Sequence, residues 1–86
     1  MSYTVEVSRS AEKFLRALTD KRLYLRLREV LDALEANPRP VGYIKLQGDD
    51  ELYRVRVGDY RIIYQIQDQQ LVVLVVQIGH RRQIYR

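Results

Sequence analysis

The 86-residue chain is predicted to form a single α+β domain over residues 1–86, with its elements in the order β-α-α-β-β-β-β. Apolar residues recur with a helical period before residue 37, and they alternate with a period of two after residue 40. No repeat, linker or low-complexity segment interrupts the chain, which predicts one domain. We therefore expect a helical hairpin packed on one face of a mostly antiparallel sheet.

The first half of the chain predicts one strand and two helices. Alternating apolar residues indicate a strand at residues 2–8. Ser8 or Ser10 can cap the first helix, and Asp20 can cap the second. The second helix should end before Pro38, which lacks an amide hydrogen and disfavours helix at the residue before it. The two apolar stripes are Ala11, Phe14, Leu15 and Leu18, then Leu23, Leu27, Val30, Leu31 and Leu34.

The second half predicts four strands joined by short connections. The strands are expected around 43–46 and at 52–57, 60–67 and 70–78. Gly58-Asp59 fits a two-residue hairpin turn of type II′, in which glycine supplies the positive φ of the first position. Asp68-Gln69 is a second candidate turn. The strand at 70–78 is apolar on both sides, so it should have a neighbour on each edge.

Positive charge is concentrated in the last 35 residues. Residues 1–51 carry nine Lys/Arg and nine Asp/Glu, whereas residues 52–86 carry six arginines against two aspartates. Twelve of the 15 basic residues are arginine, whose planar fork suits phosphate. A polyanion or an acidic protein is the expected partner, and a merely basic surface is the alternative. The chain has no cysteine and no apolar run long enough to span a membrane, so we expect a cytoplasmic protein.

The hairpin turn at Gly58-Asp59 fixes a register that gathers arginines on one sheet surface. Alternation then places Arg54, Arg56 and Arg61 on the face away from the helices, called the arginine face below. We expect Val72, Leu74 and Val76 to lie near it, giving a shallow groove that is part apolar and part basic. The alternative is an exposed face whose arginines prevent aggregation of strand edges. The predicted pairs are Val57 with Tyr60, Arg56 with Arg61, Val55 with Ile62, and Arg54 with Ile63.

The C-terminal segment "GHRRQIYR" places further candidate groups behind the last strand. It holds His80, Arg81, Arg82, Tyr85 and Arg86, with Gly79 expected to end the strand. An imidazole, several guanidiniums and a phenol near a phosphate could support RNA cleavage through the ribose 2′-hydroxyl. A single histidine is more often structural, and a single tyrosine more often packs. This segment therefore predicts a site only together with the arginine face.

Three segments follow the βαα opening of the chain: "KLQG", "LYRVRVGDYRIIYQI" and "GHRRQIYR". Together with that opening they resemble the RelE/ParE superfamily of bacterial toxin–antitoxin toxins, and the RelE branch in particular. The resemblance covers essentially the whole chain. It implies a toxin of a type II system that acts as a ribosome-dependent mRNA endonuclease. Such toxins cut the A-site codon by 2′-hydroxyl attack, without a metal or another cofactor. The implied partners are the 70S ribosome with its mRNA, and a cognate antitoxin that is acidic and partly helical.

The same resemblance implies roles for individual residues. Arg61 and Arg81 would hold the scissile phosphate, Arg81 also being a proposed acid. Tyr85 would stack on a base or assist proton transfer, and His80 is a further catalytic candidate. The RNA-binding positions would be Arg54, Arg56, Arg82, Arg86 and Lys45.

A departure from the family pattern at two positions leaves alternatives open. The two positions on the third strand are lysine in the best-known RelE pattern, and arginine in their place cannot act as a base near neutral pH. His80 or Tyr85 would then transfer the protons. The alternative functions are a ParE-like inhibitor of DNA gyrase and a catalytically inactive relative that binds nucleic acid.

Overall fold

Five strands form one mixed sheet, and two helices pack against one of its faces. The computed structural model describes residues 2–46, 48 and 51–80. The strand order is β1-β5-β4-β3-β2, with β1 parallel to β5 and the other pairs antiparallel. This confirms the predicted class and element order. The elements are β1 Thr4–Val7, α1 Arg9–Ala17, α2 Lys21–Ala36, β2 Ile44–Lys45, β3 Leu52–Val57, β4 Tyr60–Gln67 and β5 Val72–His80.

Each helix begins at a capping side chain that the sequence supplies. The Ser8 hydroxyl accepts the Ala11 amide at 3.1 Å, and the Asp20 carboxylate accepts the Leu23 amide at 3.2 Å. Ser8 Oγ also donates to the carbonyl of Val76 in β5 at 2.7 Å. Ser8 therefore starts α1 and ties its first turn to the sheet. Neither helix of the described ranges is long and apolar enough to cross a bilayer.

The core lies between the helical stripes and the near face of the sheet. Tyr64 is its largest fully buried side chain, and its hydroxyl donates to the carbonyl of Pro38 at 2.9 Å. Burial raises the pKa of Tyr64 to about 12. The hydrogen bond anchors the end of α2 to the middle of β4. Other buried core residues are Ala11, Leu15, Leu27, Leu31, Leu34, Val55, Val57, Ile62, Val73, Val75 and Ile78.

The hairpin between β3 and β4 has the predicted turn and the predicted register. Gly58 has a φ of +61°. Leu71 is the one non-glycine residue of the described chain with positive φ, so Asp59 keeps the negative φ that a type II′ turn requires. Each of the four predicted cross-strand pairs is present, including Arg56 opposite Arg61.

The connection from β4 to β5 differs from the prediction. Gln67 pairs with Val72, so residues 68–71 form a four-residue loop and no tight turn lies at Asp68-Gln69. Leu71, the last residue of this loop, has a φ of 56°, and pairing with β4 begins at the next residue, Val72. At its other end β5 does not stop at residue 78. Gly79 and His80 continue it, because they pair with Arg61 and Tyr60. The strand predicted around 43–46 is shorter, at Ile44–Lys45.

A β-bulge in β5 changes which of its residues face the arginine face. Ile63 pairs with Gln77 and Tyr64 pairs with Val75, so Val76 is the extra residue. Before the bulge Val73 and Val75 enter the core, and after it Ile78 does. The prediction for Val72 and Leu74 is confirmed by their pairing with Gln67 and Gln65. Val76 belongs neither to the core cluster nor to the residues packed against it, so its place near the arginine face stays a prediction; after the bulge, alternation restarts and brings Gln77 to that face.

An exposed ion pair between Arg39 and Asp68 lies at the end of the sheet opposite the Gly58 turn. Arg39 binds Asp68 through two hydrogen bonds, of 2.8 and 3.4 Å, and the Tyr3 hydroxyl donates to the same carboxylate at 2.6 Å. Arg39 and then Tyr3 lower the pKa of Asp68, and Asp68 in turn raises the pKa of Tyr3. These contacts join the start of β1, the segment after α2 and the β4–β5 loop.

We predict that this cluster makes stability depend on acid pH. The folded-state pKa of Asp68 is depressed, so its contribution is present above the unfolded value and is lost as pH falls through the folded value. Urea unfolding between pH 7 and pH 2 should show Asp68→Asn less stable than wild type at neutral pH, with the difference vanishing in acid. Asp59→Asn, at the other end of β4, is the matched control and should keep the wild-type profile. A constant difference at every pH would contradict the prediction.

Candidate nucleic-acid interface

Cross-strand pairing arranges the arginine face in rows that run across β3, β4 and β5. The first row is Arg56, Arg61 and Gly79, and the second is Arg54, Ile63 and Gln77. Paired residues on one face have Cβ atoms about 4.5–5.5 Å apart. The three arginines therefore lie within one small area, near the end of the sheet where β5 finishes at His80. This confirms that the sequence pattern gathers them on one surface.

Two of the arginines are partly withdrawn from solvent. Arg54 and Arg61 are half-buried, whereas Arg56 is exposed. The Nε and Nη1 atoms of Arg54 and the Nε atom of Arg61 are themselves buried. Ile63 lies between Arg54 and Gln77, is 6% exposed and does not belong to the main core cluster, so it forms an apolar floor on this side. Charge held over such a floor acts with less screening than charge in open water.

The arginine face can bind anions, but its arginines cannot take a proton. Guanidinium groups donate up to five hydrogen bonds, match phosphate oxygens in pairs and stay charged at neutral pH. The two rows contain no acidic side chain. Across the described ranges no group of three or more His, Cys, Asp or Glu could hold a metal ion. The chemistry available here is phosphate binding and stabilisation of negative charge.

His80 does not join the arginines, contrary to the expectation from the sequence. It pairs with Tyr60, and its ring meets the Tyr60 ring edge-on at a centroid distance of 5.3 Å. The centroid of the Tyr60 ring lies 5.9 Å from that of Phe14 in α1. The rings of Tyr60 and His80 therefore lie on the helical side of the sheet. The bulge at Val76 causes this, because without it the even-numbered residues of β5 would have stayed on the arginine face. The described residues therefore place the His80 ring on the side of the sheet opposite Arg61.

Lys45 is also separated from the arginine face. It pairs with Tyr53, whose side chain is in the core, while its neighbour Ile44 pairs with Arg54. The residue at the edge of the arginine face is therefore Ile44, which is 46% exposed, and not the predicted Lys45. The remaining candidates, Arg81, Arg82, Tyr85 and Arg86, lie outside the described residues.

Gln77 and Gly79 are members of the site that the sequence did not suggest. The bulge delivers both to the arginine face, in the two rows that hold the arginines. The available signal was weak: Gln77 is a polar residue that follows directly on the apolar run LVVLVV. That run has no alternation from which a change of phase could be read.

The chain is similar to known toxins over almost its whole length. The model of the family described as "ParE toxin of type II toxin-antitoxin system, parDE" matches residues 5–85. Toxin RelG of Mycobacterium tuberculosis is 29% identical over 86 residues, which cover 100% of this chain and 99% of that protein.

Solved structures agree with this similarity. The archaeal RelE–RelB complex from Pyrococcus horikoshii OT3 contains a chain with a TM-score of 0.84 and 36% identity, covering 96% of this chain and 99% of that one. The intact E. coli RelBE toxin–antitoxin complex contains a chain with a TM-score of 0.78 and 27% identity, covering 92% of this chain and 96% of that one.

We predict that the pairing of Arg56 with Arg61 lowers the stability of the domain. Like charges directly opposite one another across strands repel, so Arg56→Gln should raise the free energy of unfolding by a few tenths to about 1 kcal/mol. The gain should shrink in 1 M salt, where the Debye length is about 3 Å. Arg22→Gln, at an exposed position in α2, should change stability little and serves as the control. A loss of stability in Arg56→Gln at low salt would contradict the prediction, and urea titration measures both variants.

Proposed function

Because the chain belongs to the ParE toxin family of type II toxin–antitoxin systems, and is a toxin with RelE-type relatives, we propose that it cleaves mRNA in the A site of the translating 70S ribosome. The observation that carries this proposal is the row in which Arg56 faces Arg61, beside Arg54 in the next row. A crowded cluster of arginines costs stability and is suited to a phosphate backbone. This favours a nucleic-acid substrate over a purely structural role.

The proposed reaction is a transesterification within the RNA strand. The ribose 2′-oxygen attacks the adjacent phosphorus and loses its proton, while the bond from phosphorus to the 5′-oxygen breaks. That oxygen takes up a proton, so the products are a 2′,3′-cyclic phosphate and a 5′-hydroxyl. The reaction as written consumes no water and transfers no electrons. What it needs from the protein is orientation, positive charge at the phosphate and two proton transfers.

Roles follow from the chemistry of each residue. Arg61 would bind the non-bridging oxygens of the scissile phosphate together with Arg81, which is also the candidate acid. Arg54, Arg56, Arg82 and Arg86 would bind neighbouring backbone phosphates. Tyr85 would stack on a base or assist a proton transfer. Lys45 and His80 are left out of this set, because both lie on the other face of the sheet.

We also propose that a cognate antitoxin, acidic and partly helical, covers the arginine face. Two solved relatives were crystallised as toxin–antitoxin complexes. The arginine face offers such a partner positive charge together with Val72, Leu74 and the exposed Ile44. A segment that folds on binding could bury these apolar groups and neutralise the arginines in one step.

Inhibition of DNA gyrase is the second candidate, because the family whose model matches carries the name of ParE. A supercoiling assay with purified gyrase distinguishes the two functions directly. The ribonuclease proposal requires that supercoiling continue unchanged at toxin concentrations that stop translation.

We predict that Arg61→Ala slows cleavage of mRNA on programmed ribosomes by about a hundredfold or more, since one preorganised charge donor at a transition state contributes on this scale. Lys13→Ala is the control: it removes a positive charge from α1, outside the arginine face, and should cleave at the wild-type rate. Single-turnover assays on synthetic mRNA measure both rates, and the 3′ product should carry a 5′-hydroxyl. Equal cleavage of naked and ribosome-bound mRNA would contradict ribosome dependence, and an unaffected Arg61→Ala variant would contradict the site.

We predict that His80→Gln does not alter how the cleavage rate depends on pH. The imidazole packs on Tyr60, away from the arginine face, so it should take no part in the chemical step. The same single-turnover assay, run between pH 5 and pH 8, should give parallel profiles for wild type and variant. If the wild-type rate rises with pH and that rise disappears in His80→Gln, His80 is the base and its placement here does not describe the active state.

A further inference from the structure

A further arginine, Arg26 of α2, lies against the turn between β3 and β4. A Cβ atom built on Gly58 would be 3.5 Å from Nη1 of Arg26 and 4.0 Å from its Cζ, so the guanidinium rests beside the backbone of the turn. Arg26, Gly58 and Arg56 are all exposed. Helix α2 therefore presents a cation at the tip of the hairpin, close to the place where the arginine face ends.

Arg26 and Arg56 flank this tip from its two sides. Arg56 belongs to the arginine face, whereas Arg26 comes from the helical side. Two residues of a strand span only about 6.6 Å, and Gly58 carries no side chain, so the tip between the two cations is narrow and unobstructed. A single strand of nucleic acid that crosses the tip can contact both.

The donors of Arg26 are not engaged by the part of the protein that the structure describes. Among residues 2–46, 48 and 51–80, Arg26 forms no ion pair and no hydrogen bond. Other helical arginines differ, because Arg16 pairs with Glu12 and Arg28 pairs with Asp32, each at 3.5 Å. Arg26 can therefore bind a ligand without first breaking a contact of this kind.

Arg26 borders an open cleft between the first turns of α2 and the hairpin tip. The cleft has a volume of about 510 Å³, and Leu23, Val57 and Tyr60 contribute apolar atoms to its lining. An arginine beside apolar groups has less competition from water for its hydrogen bonds than one in open solvent. The cleft thus favours contact between Arg26 and an anion.

The other charged groups of the cleft are of both signs. Arg22 lies one helical turn before Arg26, whereas Asp20 and Asp59 bring negative charge. The Asp20 carboxylate accepts the Leu23 amide at 3.2 Å as the cap of α2. Asp59 is exposed next to Gly58 and should weaken the binding of an anion to Arg26. Removing the charge of Asp59 therefore offers a test in the opposite direction.

We propose that Arg26 is an RNA-binding residue that extends the arginine face around the Gly58 turn and holds the mRNA beyond the cleaved codon. Its guanidinium donates to the non-bridging oxygens of a backbone phosphate, after the strand has passed Arg56. The strand continues toward its 3′ end, because the nucleotides before the A-site codon are paired with tRNA in the P site. Such a contact adds affinity and fixes the path of the strand without reading a base. This inference rests on the proposed ribonuclease function.

A purely structural role for Arg26 predicts a different response to lysine. A guanidinium that only packs on the turn acts through its planar group and its long apolar stem. Lysine lacks the planar group but still binds phosphate as a point charge. Replacement by lysine should therefore preserve phosphate binding and should not preserve packing on the turn.

The experiment varies the length of the mRNA on programmed 70S ribosomes. One synthetic mRNA ends with the A-site codon, and the other continues beyond it; both carry 2′-deoxyribose before the scissile phosphate, so that they are bound and not cut. Arg26→Gln should weaken binding to the longer mRNA by about tenfold, the scale of a hydrogen bond to a charged group, and leave binding to the shorter one unchanged. Arg26→Lys should recover most of the lost affinity.

Two further variants test the path of the strand. Arg28→Gln removes an arginine of the same helix that is paired with Asp32, and it should bind both mRNAs as wild type does. Asp59→Asn should bind the longer mRNA about twofold more tightly, since it removes an exposed carboxylate beside Arg26. Weaker binding by Asp59→Asn would contradict a phosphate at this turn.

The outcomes separate this inference from the proposed function. If Arg26→Gln binds both mRNAs as wild type does, or loses the same affinity for both, the mRNA does not contact Arg26 and the inference is overturned. The proposed function stands in both cases as long as wild type cleaves a ribose substrate. If wild-type toxin fails to cleave ribosome-bound mRNA at all, the proposed function is overturned and this inference with it.

Discussion

The position of one extra residue in β5 determines how the sheet divides its side chains between core and site. A strand residue must point to one of two faces, and β5 is paired on both edges, so it cannot adjust by rotating. The bulge at Val76 reverses its alternation midway. The contacts of Ser8 hold this bulge in place, because its amide donates to Val75 at 2.9 Å and its hydroxyl donates to Val76. Ser8 therefore caps the first turn of α1 and also helps to fix which residues of β5 lie on the arginine face.

The arginine face is supported by a core that compensates for its cost. Opposed arginines destabilise a hairpin by up to about 1 kcal/mol, and a domain of this size has only a modest margin. Directly behind Arg54, Arg56 and Arg61, the same two strands place Val55, Val57 and Ile62 in the core. The hairpin is thus held by apolar packing on one side while it concentrates charge on the other. Charge crowding that folding alone does not require is typical of functional surfaces.

The sequence predicted the elements whose signals are local and periodic. The helices followed from their stripes and caps, and the register of β3 with β4 followed from Gly58-Asp59. The bulge, the loop closed by Leu71 and the placement of His80 could not be read in the same way. An apolar strand buried on both faces shows no alternation, so an inserted residue leaves no trace in its pattern. A single change of phase was enough to bring Gln77 and Gly79 to the arginine face and to turn His80 to the helical side.

Arginine at positions 54 and 56 limits what this face can contribute to catalysis. Its charge is constant across physiological pH, so binding of phosphate should not depend on the titration of these residues. The same permanence means that Arg54, Arg56 and Arg61 hold and stabilise a phosphate without moving protons. With His80 on the helical side, the proton transfers of the proposed reaction must come from the segment after residue 80 or from the ribosome itself. A toxin built in this way would supply charge and orientation, and this division of labour would give the proposed dependence on the ribosome a chemical reason.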